Sequence, residues 1–495
     1  MSRVVVVGAG LGGLSAAARL AAQGHAVTIV EQSDAVGGKL GILRRDGFTF
    51  DTGPSLLTMP HVLEDLFDAT GDPLRSVLDL HRLDVACRYR FPDGTGLDLP
   101  GDANDIAPAL DAALGPGRGA EWTAFVQRAA RIWDITHEPF LESPITVADM
   151  ARLSRRLGDV RDVAPWRTLR GLGATYLADP RLRQLLDRYA TYTGSDPRRT
   201  PAALAAVPYA EQAFRSWHVA GGLHRVAEAV RDRAIDRGAA LRLSAEVAEV
   251  VVTGGHVNGV RLADGELMPA DVVVAGVDAA QLYGHLVPPS RWTRRITGRL
   301  VRDRSLSGFV MMLALDDVPH EPRAHRVLFT DDYDAEFDAV LGRPRQRRPV
   351  DDPTVYVSSP DDPALVPDAR SQGWFVLVNA PPHDVAAGMD WDTPGLADGY
   401  ADRVLDVMAA RGLDVRPNVR WREVRTPADL GRATLTDGGA IYGSSSNGRR
   451  SAFLRPANRS PVPGLFLVGG SAHPGGGLPL VMLSAQIVSG LVGPA

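Results

Sequence analysis

The chain has 495 residues, a formal net charge of −5, 45% hydrophobic residues and a single cysteine, Cys87. That length buries a large core and predicts two or three domains of roughly 100 to 200 residues each. The weak negative charge and the lack of a long basic block argue against nucleic acid as a partner, and one cysteine excludes an internal disulfide and a cysteine-rich metal site, so no metal is expected.

The first element is a strand, Val4-Val5-Val6-Val7, running into Gly8-Ala9-Gly10-Leu11-Gly12-Gly13 and then a helix. A strand, a glycine turn and a helix N-terminus bring unpaired backbone N–H groups to a dinucleotide pyrophosphate, with Gly8, Gly10, Gly12 and Gly13 permitting the close approach. Glu31 ends the next apolar strand, Ala26 to Val30, at the spacing where a carboxylate accepts from a ribose hydroxyl and disfavours a 2′-phosphate. The opening valine run is too short for a signal-peptide core, and no apolar stretch of about 18 to 20 residues follows, so a cytoplasmic chain without a spanning helix is expected. Val36-Gly37-Gly38-Lys39 and Phe50-Asp51-Thr52-Gly53-Pro54-Ser55 extend the nucleotide signature and point to FAD; Lys39 is the only lysine.

From about 100 to 215 the pattern is mainly helical. Trp122, Phe125, Val126, Ala129, Ile132 and Trp133 recur on one side of a predicted helix, as in a core helix or one that contacts membrane or substrate. Gly221-Gly222 precedes a predicted helix from Leu223 to Arg237, and strands follow at 241–243 and 247–252, with Val247 a candidate cofactor contact. Apolar runs at 306–315, 354–357 and 374–378 read as buried strands, walling either a sheet core or a substrate cavity. Arg343 to Pro349 forms a proline-flanked basic loop, either solvated or facing an anionic membrane.

Near the end, the strand Leu465 to Val468 is aimed at Gly469-Gly470. Gly475-Gly476-Gly477-Leu478 then leads to Pro479, favoured in a first helical turn, and an apolar helix from Leu480 to about Leu491. That helix start, with Pro479 and Leu480, is a candidate flavin anchor, since N–H groups there stabilise the negative charge of reduced flavin. His473 lies between the glycines and offers either a catalytic proton acceptor or a loop hydrogen bond.

With these motifs the chain resembles the flavin amine-oxidase-like superfamily and, within it, the bacterial-type phytoene and carotenoid desaturases. The resemblance covers nearly the whole chain and is most specific at Arg188 to Pro197, Gly221-Gly222 and 438–487, including Gly443, Arg449, Arg450, Phe453 and Arg455. It implies an α/β fold: a Rossmann-type FAD-binding domain from 1–95, 216–290 and 421–495, a helical substrate- or membrane-facing insertion at 96–215, and a mixed-sheet substrate segment at 291–420. It also implies a lipophilic polyene substrate, peripheral contact with the inner face of the cell membrane, and desaturation of an acyclic carotenoid, plain or hydroxylated, by hydride transfer to flavin N5. The terminal electron acceptor, oxygen or a quinone, leaves no mark in the chain.

Three alternatives accompany this reading. Related carotenoid oxygenases, ketolases or isomerases share the motifs. A flavin amine oxidase shares the nucleotide-binding start, although the lone Lys39 is badly placed for the lysine such enzymes use. A prenyl-lipid carrier of the Rab-escort type shares the fold without a catalytic flavin. Gly276 and His218 depart from the usual family pattern.

Overall fold

The computed structural model describes residues 1–144, 156–318, 325–448, 451 and 455–495. Strand β1 (Arg3–Val7), helix α1 (Leu11–Ala22) and strand β2 (Ala26–Val30) start a five-stranded parallel sheet. Its order is Ala240–Arg242, β2, β1, Val272–Ala275 and Leu465–Leu467, so segments more than four hundred residues apart share one sheet. The unbroken valines of β1 follow from burial on both faces. Val4 and Val6 pack with α1 and with the helices His224–Asp236 and Leu478–Val492, while Val5 and Val7 face the antiparallel strands Val247–Thr253 and His256–Leu262.

A second sheet of seven strands runs in the order Val419–Arg425, Ser307–Asp316, Ser371–Ala380, Val355–Ser358, His325–Leu328, Val85–Arg90 and Gly96–Pro100. Alternate residues give it two buried faces. Phe309, Met311, Trp374 and Val376 pack against Tyr400, Val404 and Met408 of the helix Leu396–Ala410. On the other face, the cross-strand partners Arg425, Val310, Leu377, Tyr356 and Val327 form one row over five strands, and every one of them lines a cavity. The apolar runs therefore serve as sheet core and cavity wall at alternating positions.

This sheet cuts across the division drawn from sequence. Val85–Arg90 pairs with Gly96–Pro100 across the expected break at 95, and Val419–Arg425 joins the same sheet from both sides of the break at 420. A short hairpin carries no sequence mark of which sheet it will join. The helix expected around 122–134 spans Arg118–His137, with Trp122, Phe125 and Ile132 in a core shared with Leu182 and Leu185. Its last turns, at Trp133 and Thr136, reach the cavity. Among the described residues no helix is long and apolar enough to cross a membrane.

Candidate active site

One cavity of about 1250 Å³ touches both sheets. Pockets for a single drug-sized ligand hold about 300 to 1,000 Å³, so this one is larger than such a ligand needs.

Its first end is built of glycines. A Cβ on Gly13 would stand 2.1 Å from the Gly8 carbonyl oxygen, and one on Gly12 would stand 3.0 Å from Gly469 Cα, which locks the first glycine turn against the distal pair. Gly8 itself has φ of +95°, a conformation that favours glycine. Gly10 and Gly477 differ in kind: a Cβ on either meets no atom within 4 Å, and both line the cavity. Side chains there would fill the space through which a ligand reaches the N-termini of α1 and of Leu478–Val492. Two helix N-termini with unpaired N–H groups face this end, and both favour anionic oxygen. Pro479 sits in the first turn of the second helix, and Leu478, Pro479 and Leu480 are all at the wall.

Glu31 lines the same end, where one carboxylate oxygen accepts from the Ala9 N–H at 2.6 Å and the other from the Ser33 N–H at 2.9 Å and the Ser33 hydroxyl at 2.7 Å. A carboxylate has about four acceptor sites, so Glu31 keeps capacity for a ribose hydroxyl. Gly38, Gly53, Pro54, Ser55, Val247, Gly469 and Gly470 also reach the cavity. A Cβ on Gly276 would stand 3.1 Å from the Val7 carbonyl oxygen, a close passage at the end of adjacent strands, and Gly276 lines the cavity. Lys39 reaches the wall, but its ammonium donates to the carbonyls of Ala440 at 2.9 Å and Ile441 at 2.7 Å. Burial lowers its pKa to about 8, against the pull of Asp278.

The loop carrying His473 contributes Ser471 and Pro474 to the wall, whereas the imidazole points elsewhere: its Nε2 lies 3.0 Å from the Ser143 carbonyl oxygen, while the backbone N–H of His473 donates to the Pro456 carbonyl at 2.9 Å. Burial lowers its pKa to about 4. Arg455 braces this region by donating to the carbonyls of Tyr442 at 2.9 Å and Gly470 at 3.0 Å, and burial lowers its pKa to about 10. Gly443 packs 2.6 Å, from its would-be Cβ, against Ser471 Cβ. Arg449, Arg450 and Phe453 lie outside the described residues.

Two features carry no single-residue motif in the sequence. Asp51 accepts from the N–H groups of Leu223 at 2.7 Å and His224 at 2.8 Å, capping the helix His224–Asp236, and a Cβ on Gly222 would stand 3.1 Å from the same carboxylate. His218, the other departure from family pattern, meets Asp362 at 2.9 Å, and the same carboxylate oxygen accepts from the Gly221 N–H. The second feature is a polar cluster at the far end, around Arg188, Tyr192, Glu211, His325 and Tyr356. Ala86, Leu204, Val207, Val310, Val327 and Leu377 form the apolar part of the wall there, beside Thr191, Thr193, Thr354 and Asn379.

A parallel sheet with a glycine turn, an acidic residue ending its second strand and a second helix start across one cavity defines a flavoprotein oxidoreductase of the dinucleotide-binding class. The family model for flavin containing amine oxidoreductases matches residues 11–492, so the chain belongs to that family and its cofactor is FAD. It is 33% identical to a 4,4'-diapolycopene oxygenase of Methylomonas sp, over 98% of this chain and 97% of the relative. It is 33% identical to a hydroxyneurosporene desaturase of Rubrivivax gelatinosus, over 98% of this chain and 92% of the relative. The fold matches an oxidoreductase from Methanosarcina mazei with a TM-score of 0.67 at 16% identity, covering 98% of this chain and 99% of that one.

Proposed function

We propose that the protein is an FAD-dependent carotenoid desaturase that adds a conjugated double bond to an acyclic polyene. The observation that carries this reading is a cavity of about 1250 Å³ whose wall includes both the glycine cradle and a group of apolar side chains. Amine and amino-acid substrates are small and charged, and an end walled by Leu204, Val207, Val310, Val327 and Leu377 suits a long hydrocarbon instead. Names of relatives over the full chain support the same class.

When bound, FAD supplies a hydride acceptor at N5. The chain's own residues do the rest by placement. Gly8, Gly10, Gly12, Gly13, Glu31 and Val247 hold the nucleotide end, Gly38, Lys39, Gly53, Pro54 and Ser55 shape the middle, and Gly469, Gly470, Pro479 and Leu480 bring a helix N-terminus to the flavin. The apolar wall keeps water from the reacting carbons and holds the polyene in line, and conjugation spreads the positive charge that develops as hydride leaves. His473 acts here as a positioning residue for the 471–475 loop.

A polyene of this kind is dissolved in the bilayer, so the reading includes peripheral contact with the inner face of the cell membrane. Val160, Val163 and Pro165 line the cavity and Trp166, next in the chain, is 51% exposed, which fits an opening that touches lipid. Oxygen or a quinone reoxidises the flavin.

The test is anaerobic mixing of FAD-loaded protein with liposomes carrying acyclic carotenoids, following flavin bleaching and polyene absorbance together, with product mass. Coupled bleaching, a red shift and a loss of two hydrogens are expected. Bleaching by primary amines with carotenoids inert would overturn the reading in favour of an amine oxidase, and oxygen incorporated into the product would move it to the oxygenases.

A further inference from the structure

Desaturation removes a hydride and a proton, and the apolar side chains of the cavity wall offer the proton no acceptor. Between Leu377 and Val327, in the row of sheet side chains that lines the cavity, stands a polar residue, Tyr356. His325 and Val327 point to the same side of their strand, and Tyr356 faces Val327, so the phenol and the imidazole are diagonal neighbours on the cavity face. Tyr356 Oη lies 2.7 Å from His325 Nδ1 and 2.6 Å from Ser55 Oγ, and the phenol and imidazole rings are parallel to within 8°. Ser55 belongs to the Gly53-Pro54-Ser55 loop, and all three residues line the cavity.

Ser55, Tyr356 and His325 thus form an unbroken chain of hydrogen bonds. A hydroxyl or phenol both donates and accepts, and an imidazole nitrogen does either, so a proton arriving at Ser55 is passed on as each bond reverses and comes to rest on Nδ1. Arg188 keeps that receiving end empty. Its guanidinium carbon lies 5.6, 5.0 and 5.9 Å from the ring centroids of Tyr89, Tyr192 and Tyr356, a cage in which the arginine is buried. Burial first, and then the Arg188 and His218 charges, lower the His325 pKa to about 4, so the ring is neutral at ordinary pH. Two neighbours on the wall are worse acceptors. Both oxygens of Glu211 already accept, from the Tyr189 hydroxyl at 2.7 Å and the Tyr192 hydroxyl at 3.0 Å, and its charge offsets that of Arg188 across Tyr192. Burial raises the Cys87 thiol to about 11, so it keeps its own proton.

We propose that Ser55, Tyr356 and His325 are the proton relay of the desaturation. As hydride leaves one carbon for the flavin, the C–H bond on the neighbouring carbon breaks, its electron pair forms the new double bond, and its proton passes to Ser55 Oγ. The Ser55 hydroxyl proton moves to Tyr356 Oη, and the Tyr356 proton moves to His325 Nδ1. Positive charge therefore shifts from the polyene to an imidazolium, and none is created in the chamber. A carbon beside a delocalised cation is a far stronger acid than an imidazolium, so a weak base in the right place suffices. The oxygen or quinone that reoxidises the flavin takes up one hydride and one proton, which empties the relay for the next turnover. The inference rests on the desaturase reading above and adds the groups that handle its proton.

The experiment pairs kinetics with a resonance that needs no substrate. In NMR of nitrogen-labelled histidines in the FAD-loaded wild type at neutral pH, the His325 ring should be neutral with Nδ1 unprotonated, and Tyr356→Phe should shift that nitrogen. In anaerobic single turnovers of an acyclic carotenoid, wild type should form product more slowly in heavy water than in ordinary water. Tyr356→Phe and His325→Gln should each slow product formation roughly 100-fold and lose the solvent effect, with FAD content unchanged. A ring that carries its proton on Nδ1 overturns the relay, because that nitrogen then has no lone pair to receive one, and this result stands even if the variants fail to fold. Variants that keep the wild-type rate and solvent effect overturn it too, as does loss of the effect in Glu211→Gln but not in Tyr356→Phe. Wild type inert towards every carotenoid defeats the desaturase reading itself, whereas turnover with Tyr356→Phe unimpaired defeats the relay alone.

Discussion

Gly10→Ala separates cofactor contact from folding. Gly10 has φ −69° and ψ 165°, accessible to alanine, and a Cβ there meets no protein atom within 4 Å. In the free protein the cost is confined to a poorer helix N-cap, about 1 kcal/mol or less. On the proposed reading, the same methyl would intrude where the pyrophosphate of FAD would meet the N–H groups of α1. Overpacking by one methyl costs about 1 to 3 kcal/mol, which converts to roughly 5- to 140-fold in Kd at 1.4 kcal/mol per decade. Gly13→Ala supplies the contrast: its Cβ would be 2.1 Å from the Gly8 carbonyl oxygen, so the strain falls on the protein before any cofactor arrives. The assay is FAD titration of apoprotein by flavin fluorescence, paired with thermal unfolding with and without FAD. Gly10→Ala should unfold near wild type when empty and lose much of the stabilisation FAD confers, whereas Gly13→Ala should already unfold early when empty. The reasoning fails if Gly10→Ala binds FAD within twofold of wild type, since the pyrophosphate would then lie elsewhere.

Two further outcomes follow from buried titratable groups. Lys39→Met should destabilise by about 1 to 3 kcal/mol in urea unfolding, because it frees the carbonyls of Ala440 and Ile441 and removes the charge that offsets Asp278; Lys39→Met with Asp278→Asn should recover part of the loss, and additivity of the two would show that they do not interact. His325 has its pKa lowered to about 4, first by burial and then by the Arg188 and His218 charges, against 6.5 for the free side chain. The unfolded chain therefore takes up a proton between pH 6.5 and 4 that the folded chain refuses, so this stability is complete above 6.5 and falls by about 3 kcal/mol as pH drops to 4. His325→Asn should flatten the pH dependence of unfolding across that window relative to wild type, and an unchanged slope would place the acid lability in other groups such as His473.

The dinucleotide end was legible because its chemistry acts over short stretches of chain. A valine run, a glycine turn and Glu31 lie within about thirty residues, and each is forced by a local need: burial on two faces, backbone approach, a ribose acceptor. The helix starting at Leu478 was legible for the same reason, since glycine and proline mark its first turn. The destination of Val85–Arg90 was not, because strand pairing depends on partners at 325–328 and 96–100 that no local pattern names. Placing His473 required the structure as well: its hydrogen bond to Ser143 spans 330 residues, and a histidine between glycines reads alike whether it faces a cofactor or the opposite wall.

The Arg188 cage shows where this limit matters for function. In the sequence, Arg188-Tyr189-Ala190-Thr191-Tyr192 stands out as family-like without declaring a task, because arginine beside tyrosine is common on surfaces. Its meaning comes from convergence: a helix end supplies Arg188, the next turn supplies Tyr192, two sheet strands supply Tyr89 and Tyr356, and Glu211 sets the charge balance from a third helical segment. Arg188 is 8% exposed, and the Tyr89 hydroxyl, the faces of Tyr89, Tyr192 and Tyr356, and the Glu211 carboxylate one tyrosine away are the groups of the chain that offset burial of its charge.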